Sequence, residues 1–224
     1  VFALIAANLL FLSTGCVLTW TSPTIPKLVG DGIVTENEGS WVGSVFGLGG
    51  VAGPFLTALC LDTLGRRATL AVNAFVFLVS WGLLCLPHVF YLVIFARVVA
   101  GIAVGASFTS IPIYITEIAD DNLRQAMGSL NEICIGVGYM IEYGFGPWIS
   151  YHALLGVSAG VSLLFISICL FLPESPYHLI NKGQREKAVD TLASLRGREA
   201  LASGAVNEEI RKIEVSIPLS AYSI

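Results

Sequence analysis

Apolar residues in this chain gather into long runs and do not alternate with polar ones. Six runs stand out, over about 1–20, 40–61, 68–86, 90–114, 126–149 and 152–172, each near the roughly 20 residues a helix needs to cross a bilayer. Between Arg67 and Arg97 lie 29 residues without a charged side chain. That is too long for one span, and the Leu86-Pro87-His88 break divides it into a tight helical hairpin. Backbone groups in lipid must be satisfied within their own segment, and the two-residue pattern of a membrane barrel is absent, so the runs predict helices.

Beyond Phe171-Leu172 the pattern turns polar. Ser175 followed by Pro176 is a helix start, Ala188, Val189, Leu192 and Leu195 form one apolar stripe, and Val206, Ile210 and Ile213 form another. The expected organisation is an all-α polytopic membrane protein. Six transmembrane helices occupy 1–172, amphipathic intracellular helices 173–216, and a truncated linker 217–224.

Composition agrees: 55% of residues are hydrophobic, 12% are charged and mean hydropathy is +0.78. This excludes a nucleic-acid module, a secreted disulfide scaffold and an ordinary cytosolic enzyme. The five cysteines all sit in apolar runs without CxxC spacing and read as small core residues. Because the chain starts at Val1 and enters a hydrophobic run at once, it reads as a fragment of something longer. The first run, with Trp20 at its outer end, reads as a retained span and not a signal peptide. Arg66, Arg67, Arg124, Lys182, Arg185, Lys187, Arg196, Arg198, Arg211 and Lys212 all fall on one side of the predicted spans, and only Lys27 is clearly on the other. The positive-inside rule then puts both termini in the cytoplasm.

Three ionisable residues lie within predicted spans, where each costs roughly 2.5–3.5 kcal/mol at mid-bilayer: Arg97, Glu132 and Glu142. Arg97 and Glu142 fall at the same height on neighbouring spans. Two readings compete, a buried ion pair and a pair of charges that face a water-filled cavity or snorkel outward. Glu132 shares a helix face with Ile135, Gly136, Tyr139 and Tyr143. That face offers a polar solute hydrogen-bond acceptors beside aromatic rings, the alternative being a packing face between helices.

At the predicted cytoplasmic surface, Asp62, Arg66 and Arg67 flank a Gly65 turn, Glu117 ends span four, Arg124 precedes span five and Glu174 follows span six. Acids and arginines from three loops suit a charge network that holds one conformation shut. Topology alone explains the arginines but not the matched acids. His88, His152 and His178 lie far apart with no metal-ligand spacing, so neither catalysis nor a metal or other cofactor is expected.

The ordered motifs Trp20-Thr21-Ser22-Pro23-Thr24-Ile25-Pro26, Asp62-x-x-Gly65-Arg66-Arg67, Arg97-x-x-x-Gly101, Pro112-x-Tyr114-x-x-Glu117-Ile118-Ala119 with Arg124, and Pro173-Glu174-Ser175-Pro176 resemble the sugar porter family of the major facilitator superfamily. The match is to its N-terminal half, with a look closest to insect facilitated trehalose transporters and animal facilitative glucose transporters. The resemblance implies a twelve-span carrier of which six spans are present. Such a carrier is a plasma-membrane protein that moves glucose, trehalose or a similar sugar by alternating access, partnered by lipid and by a C-terminal half, with no role for nucleic acid. It also implies that Glu132 stands where the family places a sugar-binding glutamine, with Ile135 and Tyr139 lining the same site. Gln125 replaces the family's glycine after Arg124. Val17 occupies the position of the aspartate found in proton-coupled members, which favours passive uniport. The competing expectations are a proton-coupled sugar or organic-solute carrier and a non-transporting six-span partner of a full-length carrier.

Overall fold

The computed structural model describes residues 2–86, 89–196 and 204–216. The Pro87-His88 break and the 217–224 linker lie outside them. Eleven helices account for these residues: α1 (Phe2–Thr19), α2 (Thr21–Gly30), α3 (Glu36–Ser44), α4 (Phe46–Leu64), α5 (Arg66–Cys85), α6 (Phe90–Ile118), α7 (Asp121–Phe145), α8 (Tyr151–Cys169), α9 (Pro176–Asn181), α10 (Arg185–Arg196) and α11 (Ala205–Ser216). Among the described residues, five helical segments are long and apolar enough to cross a membrane: Phe2–Gly30, Glu36–Leu64, Arg66–Cys85, Phe90–Ile118 and Tyr151–Cys169. The sixth expected span is α7. Its 25 residues suffice in length, but Asn131, Glu132 and Glu142 make it the least apolar of the set.

Between the first two runs the chain is mostly helical, with α2 and α3 joined by a short turn over 31–35. In α2, Pro23 lies in the first turn, where its missing N–H removes no internal bond. Thr35 caps α3, its hydroxyl accepting from the Glu38 amide at 3.3 Å while the Glu38 carboxylate accepts from the Thr35 amide at 2.8 Å. Trp20, just after α1, is fully buried within the bundle.

The bundle is held by helix pairs that meet backbone to backbone. A Cβ on Gly15 of α1 would collide with the Ile135 carbonyl of α7, and one on Gly138 with the Leu12 carbonyl of α1. Gly49 and Gly53 of α4 and Gly101 and Gly105 of α6 meet the facing backbone in the same way. With lipid as apolar as the side chains, such close approach and interhelical hydrogen bonds replace the hydrophobic drive. Those bonds include Asn73 to Ser107 (2.9 Å), Ser80 to the Ala96 carbonyl (3.1 Å), the Tyr151 hydroxyl to the Leu84 carbonyl (2.8 Å) and Ser13 with Ser162 (3.1 Å).

The amphipathic stripes form as expected. Ser175 accepts from the Tyr177 amide with Pro176 at the first helical position. Ala188, Leu192, Val206, Ile210 and Ile213 are buried with Leu179 and Ile180 in a small core of their own, with Val189 packed against it, whereas Leu195 departs from its stripe and packs against the core of the bundle.

Candidate functional site

At one end of the bundle Gly65, at φ +95°, turns the chain between α4 and α5. A side chain there would strike the Glu174 carboxylate and the His178 ring. The turn delivers Arg66 to Glu117 at the end of α6: Nε bonds both carboxylate oxygens (3.0 and 2.8 Å) and Nη2 bonds Oε1 at 2.7 Å. This fork-on-fork geometry is the strongest a guanidinium can make. The two side chains keep only 12% and 13% of their surface exposed. Glu174, just before α9, takes the backbone amides of Arg66 (2.8 Å), Arg67 (3.2 Å) and Ser175 (2.9 Å) on one oxygen. Its charge therefore sits on the N-terminus of α5, where free N–H groups and the helix dipole favour an anion.

Arg67 reaches the Leu170 carbonyl (2.6 Å), the Tyr114 hydroxyl the Pro173 carbonyl (2.8 Å), and Arg124 the Thr116 carbonyl (3.0 Å). Three connections thus meet at this end, and the expected network forms around Arg66, Glu117 and Glu174. Asp62 is a correction: it is exposed and, among the described residues, joins no ion pair or side-chain hydrogen bond. It lies on the solvent side of α4, whereas Arg66 turns inward.

Two members were not foreseen. His178 places Nδ1 3.3 Å from Arg66 Nη1. Arginine only donates, so Nδ1 accepts and the ring is neutral. Burial pushes the His178 pKa below the usual imidazole value, opposed by the Glu174 charge. Arg196 of α10 bonds Asp120 (2.9 Å), Glu209 of α11 (2.8 Å) and the Ile118 carbonyl (3.0 Å), anchoring the small helices to the end of α6. No sequence spacing announces either contact, because the partners lie on separate helices.

At the opposite end Arg97 is buried, at 2% exposure. Its Nη1 donates to the Val17 carbonyl of α1 (3.2 Å) and its Nε to the Val42 carbonyl of α3 (3.4 Å). The guanidinium stacks 5.2 Å from the Trp20 ring and 4.8 Å from Phe46. Both expectations for Arg97 and Glu142 need correcting. No ion pair joins them among the described residues, and neither snorkels, since Glu142 has no exposed surface. Carbonyls and aromatic faces already satisfy the arginine. Lys27 behaves similarly, donating to the Gly146 and Ile149 carbonyls at the end of α7.

The α7 face divides. Glu132 is exposed, as are Tyr139 (36%) and Tyr143 (54%); at positions i, i+7 and i+11 they form one line along the helix. Ile135 departs from the expected lining. It is 5% exposed because its turn of α7 is the one pressed on Gly15.

Residues 16–222 match the family described as "Sugar (and other) transporter", and the chain belongs to that family. Among curated relatives, it is 31% identical over 202 residues to human solute carrier family 2, facilitated glucose transporter member 6, covering 88% of this chain and 39% of that protein. It is 28% identical over 204 residues to facilitated trehalose transporter Tret1 of Polypedilum vanderplanki, covering 89% of this chain and 40% of that protein. The fold matches the proton:xylose symporter XylE bound to 6-bromo-6-deoxy-D-glucose, at TM-score 0.81 and 22% identity, over 95% of this chain and 53% of that one. It also matches the partially occluded inward open form of XylE from E. coli, at TM-score 0.82 and 21% identity, over 96% of this chain and 58% of that one. The chain thus spans about two fifths of these curated relatives and about half of the solved carriers. It is an integral, multi-pass membrane protein with the fold of the N-terminal half of a major facilitator carrier.

Proposed function

We propose that the chain is the N-terminal half of a facilitative sugar carrier, with residues 1–172 as the membrane bundle and 173–216 as its cytoplasmic appendage. The observation that carries this reading is the Glu132, Tyr139 and Tyr143 line on the outside of the bundle. A carboxylate facing lipid at mid-span is costly, whereas one facing a second helical half across an aqueous cleft is not. Carboxylate and phenol oxygens beside aromatic rings suit the hydroxyls and apolar faces of a sugar such as glucose or trehalose. Its relatives named as trehalose and glucose transporters support that substrate class.

In this reading the Arg66 end is cytoplasmic and the Arg66, Glu117 and Glu174 cluster holds the carrier closed on that side, as a latch that alternating access must release. The Val17 position, whose carbonyl rather than an acid meets Arg97, favours uniport, and the plasma membrane suits such a carrier. The test is counterflow in liposomes by the complete carrier. Glu132→Gln keeps an acceptor and adds a donor and retains transport. Glu132→Leu strands a sugar hydroxyl at roughly 1–3 kcal/mol, up to about two decades in affinity. Equal transport by both variants and the parent would remove Glu132 from the site.

A further inference from the structure

The buried acid on α7 has no use in the carrier reading above, and its hydrogen bonds identify its state. Glu142 Oε1 lies 2.6 Å from Ser158 Oγ of α8, and that same hydroxyl lies 3.1 Å from the Leu154 carbonyl. Glu142 Oε2 is buried and, among the described residues, has no hydrogen-bond partner. A serine hydroxyl has one proton and cannot serve both acceptors. If Glu142 were a carboxylate, Ser158 would turn to it, abandon Leu154, and leave a charged oxygen buried without a donor. If Glu142 carries a proton on Oε1, it donates to Ser158 Oγ, Ser158 donates to Leu154, and Oε2 becomes a neutral carbonyl oxygen. Burying the neutral oxygen costs far less than burying the charge. Only the protonated acid satisfies every proton in the cluster.

The surrounding groups offer the anion no better partner. From α1 comes Cys16, from α2 Lys27, from α6 Arg97 and from α8 Ser158. Lys27 is held by the Gly146 and Ile149 carbonyls, and Arg97 by the carbonyls of Val17 and Val42. We propose that Glu142 is a proton-binding site, occupied in this conformation, whose ligand is a single hydron shared with Ser158, and that its occupancy leaves Arg97 free to tie α6 to α1 and α3. Loss of the proton creates a buried carboxylate that competes for Arg97, so alkaline pH loosens this end of the bundle. The proton regulates the carrier here and is not cargo. Where the effect would act rests on the carrier reading; the existence of the site does not.

The experiment is a pH titration of the protein in liposomes, followed by infrared difference spectroscopy of carboxyl groups and by labelling of a cysteine placed beside Val42. Expected is a protonated-carboxyl carbonyl band that is present at neutral pH, disappears on alkalinisation, is absent in Glu142→Gln, shifts in Ser158→Ala and is unchanged in Glu132→Gln. Labelling should rise with pH in the parent and stay flat in Glu142→Gln. A parent spectrum with only carboxylate at position 142 at neutral pH overturns the site, and a lost band without a labelling change overturns the link to Arg97. Absence of sugar flux would refute the carrier reading and leave the spectroscopic result standing.

Discussion

The two ends of the bundle hold their cations by opposite means. At the Gly65 end Arg66 meets a carboxylate fork and Glu174 meets helix amides, so full charges on separate connections face each other. At the Trp20 end Arg97 and Lys27 meet only carbonyl oxygens and rings, and the nearby acid stays out of contact. Charge pairs weaken when water or ions enter, whereas a guanidinium clasped by carbonyls and aromatics persists while the packing does. In the carrier reading proposed above, the first end is the one that opens and the second the one that stays folded.

The largest effect that would break this contrast is expected at the charged end. Arg66→Ala or Glu117→Ala should favour the open form by about 2–3 kcal/mol, less than the roughly 3–5 kcal/mol for a fully buried pair because both groups keep some water. Cysteine labelling of the cleft from that end measures it. The double variant should cost less than the two singles summed, as contacting residues do. Glu174→Ala should act in the same direction, and unchanged labelling in all three would reduce these residues to topology signals. A smaller loss, about 1–2 kcal/mol in unfolding experiments, is expected for Arg97→Lys, since an ammonium cannot fork to two carbonyls and lie on two rings. Raising the salt concentration should loosen the Gly65 end and leave the Arg97 end untouched.

A smaller effect still is a pH dependence. The His178 pKa is lower in the closed form than the usual 6.5. The opened form therefore binds the proton more readily, and the latch is at full strength above that value and weakens as pH falls through it. Labelling at the charged end should rise on acidification below about 6.5, and His178→Gln should flatten the slope by leaving an acceptor that cannot titrate. Asp62→Asn should change nothing beyond about 0.5 kcal/mol.

What was legible from the residues is what a helix period and a bilayer thickness dictate. The six long helices, the Ser175 cap and the two apolar stripes follow from local spacing, and so does the cluster of loop charges at one end. The helices α2 and α3 ahead of the second run were not foreseen, although Thr35-x-x-Glu38 carried a capping signature. Counting along helices placed Arg97 and Glu142 at one height but could not supply the rotation of each helix about its axis. That rotation decides that Arg97 faces carbonyls, that Glu142 faces Ser158, and that Ile135 faces Gly15 while Glu132 faces out. Asp62 failed similarly, as proximity to Arg66 in the chain says nothing of which side of α4 it leaves from.

The glycine contact between α1 and α7 also sets an order in time. A helix interior glycine costs roughly 1 kcal/mol against alanine, and at Gly15 and Gly138 only the partner backbone offsets this. About a hundred residues separate the end of α1 from the start of α7, so at roughly 5–20 residues per second the first helix waits on the order of 5–20 seconds on the ribosome for the surface it fits. During that interval Asn8 and Ser13, which reach Met127 of α7 and Ser162 of α8 in the finished bundle, wait for partners not yet made. The α4 and α6 pair, joined through a single intervening helix, waits far less. α1 thus waits longer for α7 than α4 does for α6.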